Sequence, residues 1–161
     1  MKNYGIFVDV SDFYYRIQRR FDGAKLDFGA YIETVGDWGK VFQAFAYGMQ
    51  REQEAVGFIK CLQLQGFEVQ YKRPKIIKVS DREIRQCDWG VGIAVDVFNL
   101  IDKIDAVVLG VSNPDYIPLV KWIRSQGKEV VIFASCIPRS LKEVANHCEE
   151  ISCDLLQLEA E

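Results

Sequence analysis

The runs Tyr4–Asp9, Ala106–Gly110 and Val130–Ala134 are apolar almost throughout and rich in β-branched residues. Apart from Asp9 at the end of the first, they do not alternate polar with apolar positions, so they offer no face to water. Strands buried on both sides have this composition, and they occur almost only in parallel sheets covered by helices. The intervening segments carry helical signals instead. Gln50–Gln65 places Val56, Ile59 and Leu62 at helical spacing, with Gly66 as a C-terminal stop. Gly92–Lys103 aligns Ile93, Val97, Leu100 and Ile101 on one face, and Asp115–Gln126 is stopped by Gly127. Further helices are expected at Phe13–Phe21, Leu26–Thr34 and Arg139–Cys148. Further strands are expected at Lys40–Tyr47, ended by Gly48, and at Phe67–Tyr71. The stretch Lys72–Gln86 reads as a loop or short hairpin, and Ile151–Leu158 as a short edge strand.

Such alternation predicts an α/β fold: a single-domain, doubly wound, mostly parallel sheet with right-handed crossovers and helices on both faces. The chain has 161 residues, enough for one domain with a full core. The domain is expected over residues 1–158, with 159–161 as a short acidic tail. With 20 basic and 23 acidic residues the net charge is −3, so any affinity for nucleic acid must be local. No apolar run is long enough to span a membrane and no signal region opens the chain, so a cytoplasmic protein without membrane partners is expected. The five cysteines (Cys61, Cys87, Cys136, Cys148 and Cys153) are odd in number and lack CxxC spacing. They read as reduced thiols rather than a disulfide or zinc framework.

Three acidic patches sit at the ends of apolar runs or beside them: Phe7-Val8-Asp9-Val10-Ser11-Asp12, Asp88 to Asp96, and Leu109 to Tyr116. In a parallel sheet the carboxyl ends of neighbouring strands converge on one crevice. Carboxylates gathered there repel one another and suit a hard cation such as Mg²⁺. Asp9 follows a buried strand, where a carboxylate is costly unless satisfied. Asp12 has an ordinary role as cap of the first helix, and Asp115 as cap of a helix starting at Tyr116. Asp88 and Asp96 lie eight residues apart, about 80° around a continuous helix, so both face one crevice if the helix includes them. Asp96 stands among Ile93, Ala94, Val95 and Val97 and needs a partner. The sole histidine, His147, reads as structural near a helix end, and no nucleophile elbow, Walker loop or GxGxxG motif is present.

The ordered motifs resemble the NYN domain family, a PIN-like, Rossmann-like nuclease fold, in its LabA-like branch. Phe7-Val8-Asp9-Val10-Ser11-Asp12 takes the place of the family's F-(I/V)-D-G-x-N. Trp89 to Asp96 matches W-D-V-x-(I/L)-x-x-D, and Leu109 to Val120 matches L-x-S-G-D-x-D-F-x-P-L-V. The resemblance implies a ribonuclease, dependent on Mg²⁺ or Mn²⁺, that hydrolyses RNA phosphodiesters. Carried over by position, the implied metal ligands are Asp9, Asp96 and Asp115, with Asn113 as a neutral ligand and Ser112 as a positioning group. Two family acids are replaced, by Gly90 and Asn113; Asp12 stands for an Asn and Val10 for a Gly. Asp12 and Asp88 are the candidates to compensate.

Between the third strand and the middle motif, Tyr71 precedes Lys72, Arg73, Lys75, Lys78, Arg82 and Arg85. This mixture suits the backbone and bases of single-stranded or structured RNA. Arg16, Arg19 and Arg20 form a second basic cluster that reads as helix solvation. The alternative is a degraded family member that binds RNA or a protein partner in a regulatory role, favoured by Gly90 and Asn113. A third reading is a homo-oligomeric module, a homodimer in its simplest form, using exposed aromatics such as Trp38 or Trp122.

Overall fold

The computed structural model describes residues 1–49 and 55–157. The apolar runs become the centre of a parallel sheet. Strands β1 (Asn3–Asp9), β2 (Lys40–Met49), β3 (Phe67–Lys72), β6 (Ala106–Gly110), β7 (Glu129–Ala134) and β8 (His147–Glu150) pair in the order β3-β2-β1-β6-β7-β8. All five pairings are parallel. The chain winds outward from β1 in one direction, then returns to β6 and winds outward in the other. Right-handed crossovers therefore place α1 (Val10–Arg20), α2 (Phe28–Trp38) and α3 (Ala55–Leu64) on one face. They place α4 (Gly90–Leu100), α5 (Ile117–Ser125) and α6 (Arg139–Val144) on the other. The order reverses between β1 and β6, and ligands in open α/β sheets bind outside the strand carboxyl ends at this point.

The core follows the sequence pattern. Ile6, Phe7, Val8, Val107, Val108, Leu109, Ile132 and Phe133 are fully buried. Tyr31 of α2 stacks on Phe133 with ring centroids 4.2 Å apart, and its hydroxyl donates to the Phe133 carbonyl at 2.8 Å. Gly110 lets α1 approach β6, since a Cβ there would lie 2.8 Å from Phe13 and 3.0 Å from Val8.

Several expectations need correction. Helix α1 starts at Val10 rather than Phe13, because the Asp9 side chain accepts from the Ser11 and Asp12 amides and caps it. Asp27 caps α2 through Ala30, and that helix runs on to Trp38. Gly48 does not end β2, which continues to Met49 paired with Lys72. The last helix stops at Val144, and His147 opens the edge strand β8 instead of lying on a helix. Asn146 draws the chain into the sheet: its amide donates to Val130 O and its Oδ1 accepts from Val130 N. Ile151–Leu158 is therefore not the edge strand. Its described part forms a short turn at Cys153–Leu155 and a single bridge from Leu156 to Leu26. Residues 50–54 of the expected third helix and the expected tail at 159–161 lie outside the described residues.

Lys72–Gln86 contains a hairpin of β4 (Lys75–Val79) and β5 (Arg82–Gln86), exposed on both faces. Trp38 and Trp122 are not exposed aromatics; both are half-buried against the core. Among the described residues, no helix is long and apolar enough to cross a membrane.

Candidate active site

Asp9 ends β1 beside the switch point and is only 9% exposed. Burial pushes its carboxyl up to about 7; the Ser11 and Asp12 amides at 3.1 and 3.2 Å oppose that shift, and the Asp12 and Asp88 carboxylates reinforce it. Asp9 thus serves two purposes. Its Oδ1 caps α1, and its charge meets the neighbouring negative charge of Asp12 and Asp88.

Asp12 is not the helix cap. Its Oδ1 accepts from Arg16 Nε at 2.7 Å, and its Oδ2 accepts from the Ser112 amide at 3.0 Å. It therefore ties α1 to the loop after β6 and holds the two walls of the crevice together. Ser112 is fully buried, and its hydroxyl donates to the Ser135 carbonyl at 2.7 Å. That hydroxyl links the ends of β6 and β7, and the Ser112 amide, not its hydroxyl, faces the acidic group.

Asn113 takes the capping role expected of Asp115. Its Oδ1 accepts from the Asp115 amide at 2.9 Å and opens the turn Pro114–Tyr116, after which α5 begins at Ile117. Asp115 is exposed, with Asn113 Nδ2 donating to its Oδ2 at 3.3 Å. The Asn113 amide oxygen, at the position of a family Asp, is thus already engaged in this turn.

Asp88 lies at the start of α4. Its Oδ1 accepts from the Gly90 amide at 2.8 Å, and a Cβ on Gly90 would lie 3.1 Å from that oxygen. A carboxylate two residues upstream therefore stands beside the position the family fills at Gly90. Its charge acts on both Asp9 and Tyr116. Asp96 lies further along α4. One of its oxygens, Oδ2, accepts from Tyr47 Oη at 2.7 Å and from Gln70 Nε2 at 2.8 Å. This carboxylate braces α4 against β2 and β3.

Tyr116 is the residue that sequence reasoning missed. It is buried, and burial holds its phenol well above the ordinary value, with Asp9, Asp88, Asp12 and Asp115 adding to the shift. The signal was available, because it occupies the aromatic position of the third motif. Asp9, Asp12, Asp88 and Asp115 thus all act electrostatically on Tyr116 at the carboxyl ends of β1 and β6, Ser112 holds Asp12 and Asn113 caps the turn before α5, and Asp96 hydrogen-bonds with Tyr47 and Gln70. Among the described residues, no three His, Cys, Asp or Glu side chains form a ready-made metal cage. The donor chemistry nevertheless fits Mg²⁺ or Mn²⁺. Mg²⁺ takes one or two carboxylates and keeps most of its waters, and Asp9 forms no ion pair among the described residues.

Lys72 connects the crevice to the basic hairpin. Its Nζ donates to the Asp88 carbonyl and lies 4.3 Å from the Trp89 ring centroid. Trp89 in turn donates from Nε1 to the Gly48 carbonyl at 3.1 Å. Arg73, Lys75, Lys78, Arg82 and Arg85 are exposed and enter no ion pair among the described residues. The other basic cluster is committed: Arg16 pairs with Asp12, Arg20 with Glu150, and Arg19 lies over the Tyr15 ring.

Comparison with solved structures supports the fold. A protein of unknown function from Vibrio parahaemolyticus, VPA0982, superposes with a TM-score of 0.84 at 25% identity, covering 97% of this chain and 96% of that one. MurG from Acinetobacter baumannii gives a TM-score of 0.48 at 12% identity, covering 100% of this chain and 44% of that one. No curated protein matches the sequence significantly. The NYN domain family matches residues 3–152, which contain all three acidic motifs in order, and the chain belongs to that family.

Proposed function

We propose that this protein is a metal-dependent endoribonuclease that hydrolyses single-stranded or structured RNA at the crevice between β1 and β6. The observation that carries the reading is Asp9: a buried carboxyl at the switch point, raised to about 7, facing Asp12 and Asp88. Asp9 and Asp115 would hold Mg²⁺ or Mn²⁺, directly or through water, with Asp88 supplying charge that the family draws from the position of Gly90. Asp96 and Asn113 contribute by bracing α4 and the turn before α5, and Ser112 by holding Asp12. The bound ion supplies polarisation of a phosphoryl oxygen and a more acidic water. Lys72 and the hairpin cations Arg73, Lys75 and Lys78 would hold the RNA backbone beside the crevice.

The engaged amide oxygen of Asn113 and the absence of a carboxylate at Gly90 favour a second reading, a catalytically degraded member that binds RNA or a protein in regulation. One experiment separates the two. End-labelled RNA of mixed structure is incubated with Mn²⁺ or Mg²⁺, with chelator, and with the Asp9→Asn variant. Cleavage that needs both metal and Asp9 supports the nuclease. RNA retained without cleavage, with or without metal, assigns the binder.

For a homodimer, the surface to consider is α4 rather than Trp38 or Trp122. Val91, Val95 and Phe98 lie at helical spacing and are 80%, 52% and 65% exposed. An apolar stripe of this kind is a candidate contact between two copies.

A further inference from the structure

A cavity of about 490 Å³ opens beside the acidic crevice, at the carboxyl ends of β2 and β3. Its rim carries Ser11, Tyr14 and Tyr15 of α1, Met49 of β2 and Tyr71 of β3, and its floor includes Leu62. Cavities of a few hundred Å³ with apolar walls and a few polar tips are of ligand size. None of the lining residues is charged among the described residues, although carboxylates stand on one side at Asp9 and cations on the other from Lys72 onward. The cavity therefore suits a flat, neutral group joined to an anionic backbone.

Tyr14 and Tyr71 are each 50% exposed, and the described hydrogen bonds and aromatic pairs leave both rings free. The Tyr15 ring, by contrast, already lies 5.6 Å from the Arg19 guanidinium. Ser11 lines the cavity and donates from its amide to Asp9, so the cavity adjoins the carboxylate proposed to hold the metal. Lys72 and Arg73 follow Tyr71 directly and give the anionic backbone its counter-charge.

We propose that this cavity is a nucleobase subsite, in which one unpaired base of the RNA stacks between Tyr14 and Tyr71 while its flanking phosphates run over Lys72 and Arg73. The proposal rests on the RNA-directed reading above and extends it from the backbone to the base. It implies that one position of the RNA is read by insertion and the others through their phosphates. Stacking on an aromatic side chain tolerates any base, so the subsite selects unpaired nucleotides over paired ones.

The test is binding of a short, labelled single-stranded RNA to the whole chain in chelator, by fluorescence anisotropy. The same RNA is then given a single abasic position, walked along its length. Tyr71→Ala should weaken binding by about tenfold or more, the range typical of one base–aromatic stack. Tyr71→Phe should restore it, because the ring and not the hydroxyl makes the contact. One abasic position should cost the wild type a similar factor and cost Tyr71→Ala little, the coupling expected of groups in contact. The proposal is overturned if every abasic position behaves alike, if the sensitive position persists in Tyr71→Ala, or if the RNA does not bind. An apolar dye that occupies the cavity and is not displaced by RNA would assign it to another occupant. A sensitive position without cleavage in metal would leave the subsite standing and remove the nuclease reading; cleavage without a sensitive position would do the reverse.

Discussion

Asp9 is held in conflict by its surroundings. The two backbone amides that it caps favour its charge, while burial and the neighbouring Asp12 and Asp88 oppose it, and opposition wins. Its folded value of about 7 lies above the ordinary 3.8, so the folded state holds a proton that the unfolded chain has released between those values. Asp9 therefore costs stability as pH rises from about 4 to about 7, and the loss is complete above that. The upper bound is about 4 kcal/mol, from 1.36 kcal/mol per unit of pKa. Asp9→Asn keeps an oxygen for the helix cap and removes the charge. In chelator at pH 8 this variant should melt higher than wild type, with the gap closing toward pH 5, as read by circular dichroism. Equal melting at both pH values would show that Asp9 carries no buried charge. Asp96 is the opposite case, satisfied on one oxygen by Tyr47 and Gln70. Asp96→Ala leaves both donors unpaired and should lower stability by about 1–3 kcal/mol in urea titration. No measurable loss would separate Asp96 from the bracing of α4.

At the scale of elements, the hairpin β4–β5 stands apart from the core. Its ten strand residues are all exposed, and a lone two-stranded hairpin is marginal in water. Its charge can therefore change with little effect on the fold. Lys75→Ala/Lys78→Ala/Arg82→Ala should leave the melting temperature nearly unchanged, since exposed substitutions stay within about 0.5 kcal/mol. The same variant should bind RNA more weakly and with a shallower salt dependence. Each lost phosphate contact reduces the log–log slope by about 0.7 for single strands. An unchanged slope would place the RNA elsewhere. The hairpin was legible only as an ambiguity, because Lys75–Val79 and Arg82–Gln86 have no consistently buried face. The edge strand β8 was misread for a related reason. Arg139–Val144 is a true helix, but His147–Glu150 is short and polar, and only pairing with β7 makes it a strand.

For the whole molecule, a cation that binds the folded state alone raises stability by mass action. Mn²⁺ should raise the melting temperature more at pH 8 than at pH 5.5, because Asp9 is ionised at the first and mostly protonated at the second. A pH-independent shift, or none, would count against Asp9 as the ion's anchor. The net charge of −3 does not reveal this arrangement, which depends on separation: carboxylates follow β1 and β6 while exposed cations extend on the hairpin.

The sequence by itself determined the parallel sheet and placed acids at the ends of two of its strands. Apolar runs without alternation admit few folds, and the acids that follow β1 and β6 must then meet where the strand order reverses. It also determined the family, since three motifs in one order are far more specific than any one of them. Only the tertiary structure decided what each polar atom does. It gave the α1 cap to Asp9 instead of Asp12, and the turn before α5 to Asn113. It brought Asp88 beside Gly90, paired Asp96 with Tyr47 and Gln70, and let four carboxylates act on Tyr116. The physical reason is range. Apolar periodicity is a local property of the chain, whereas a hydrogen bond is decided by a few tenths of an ångström between residues as distant in sequence as Asp12 and Ser112.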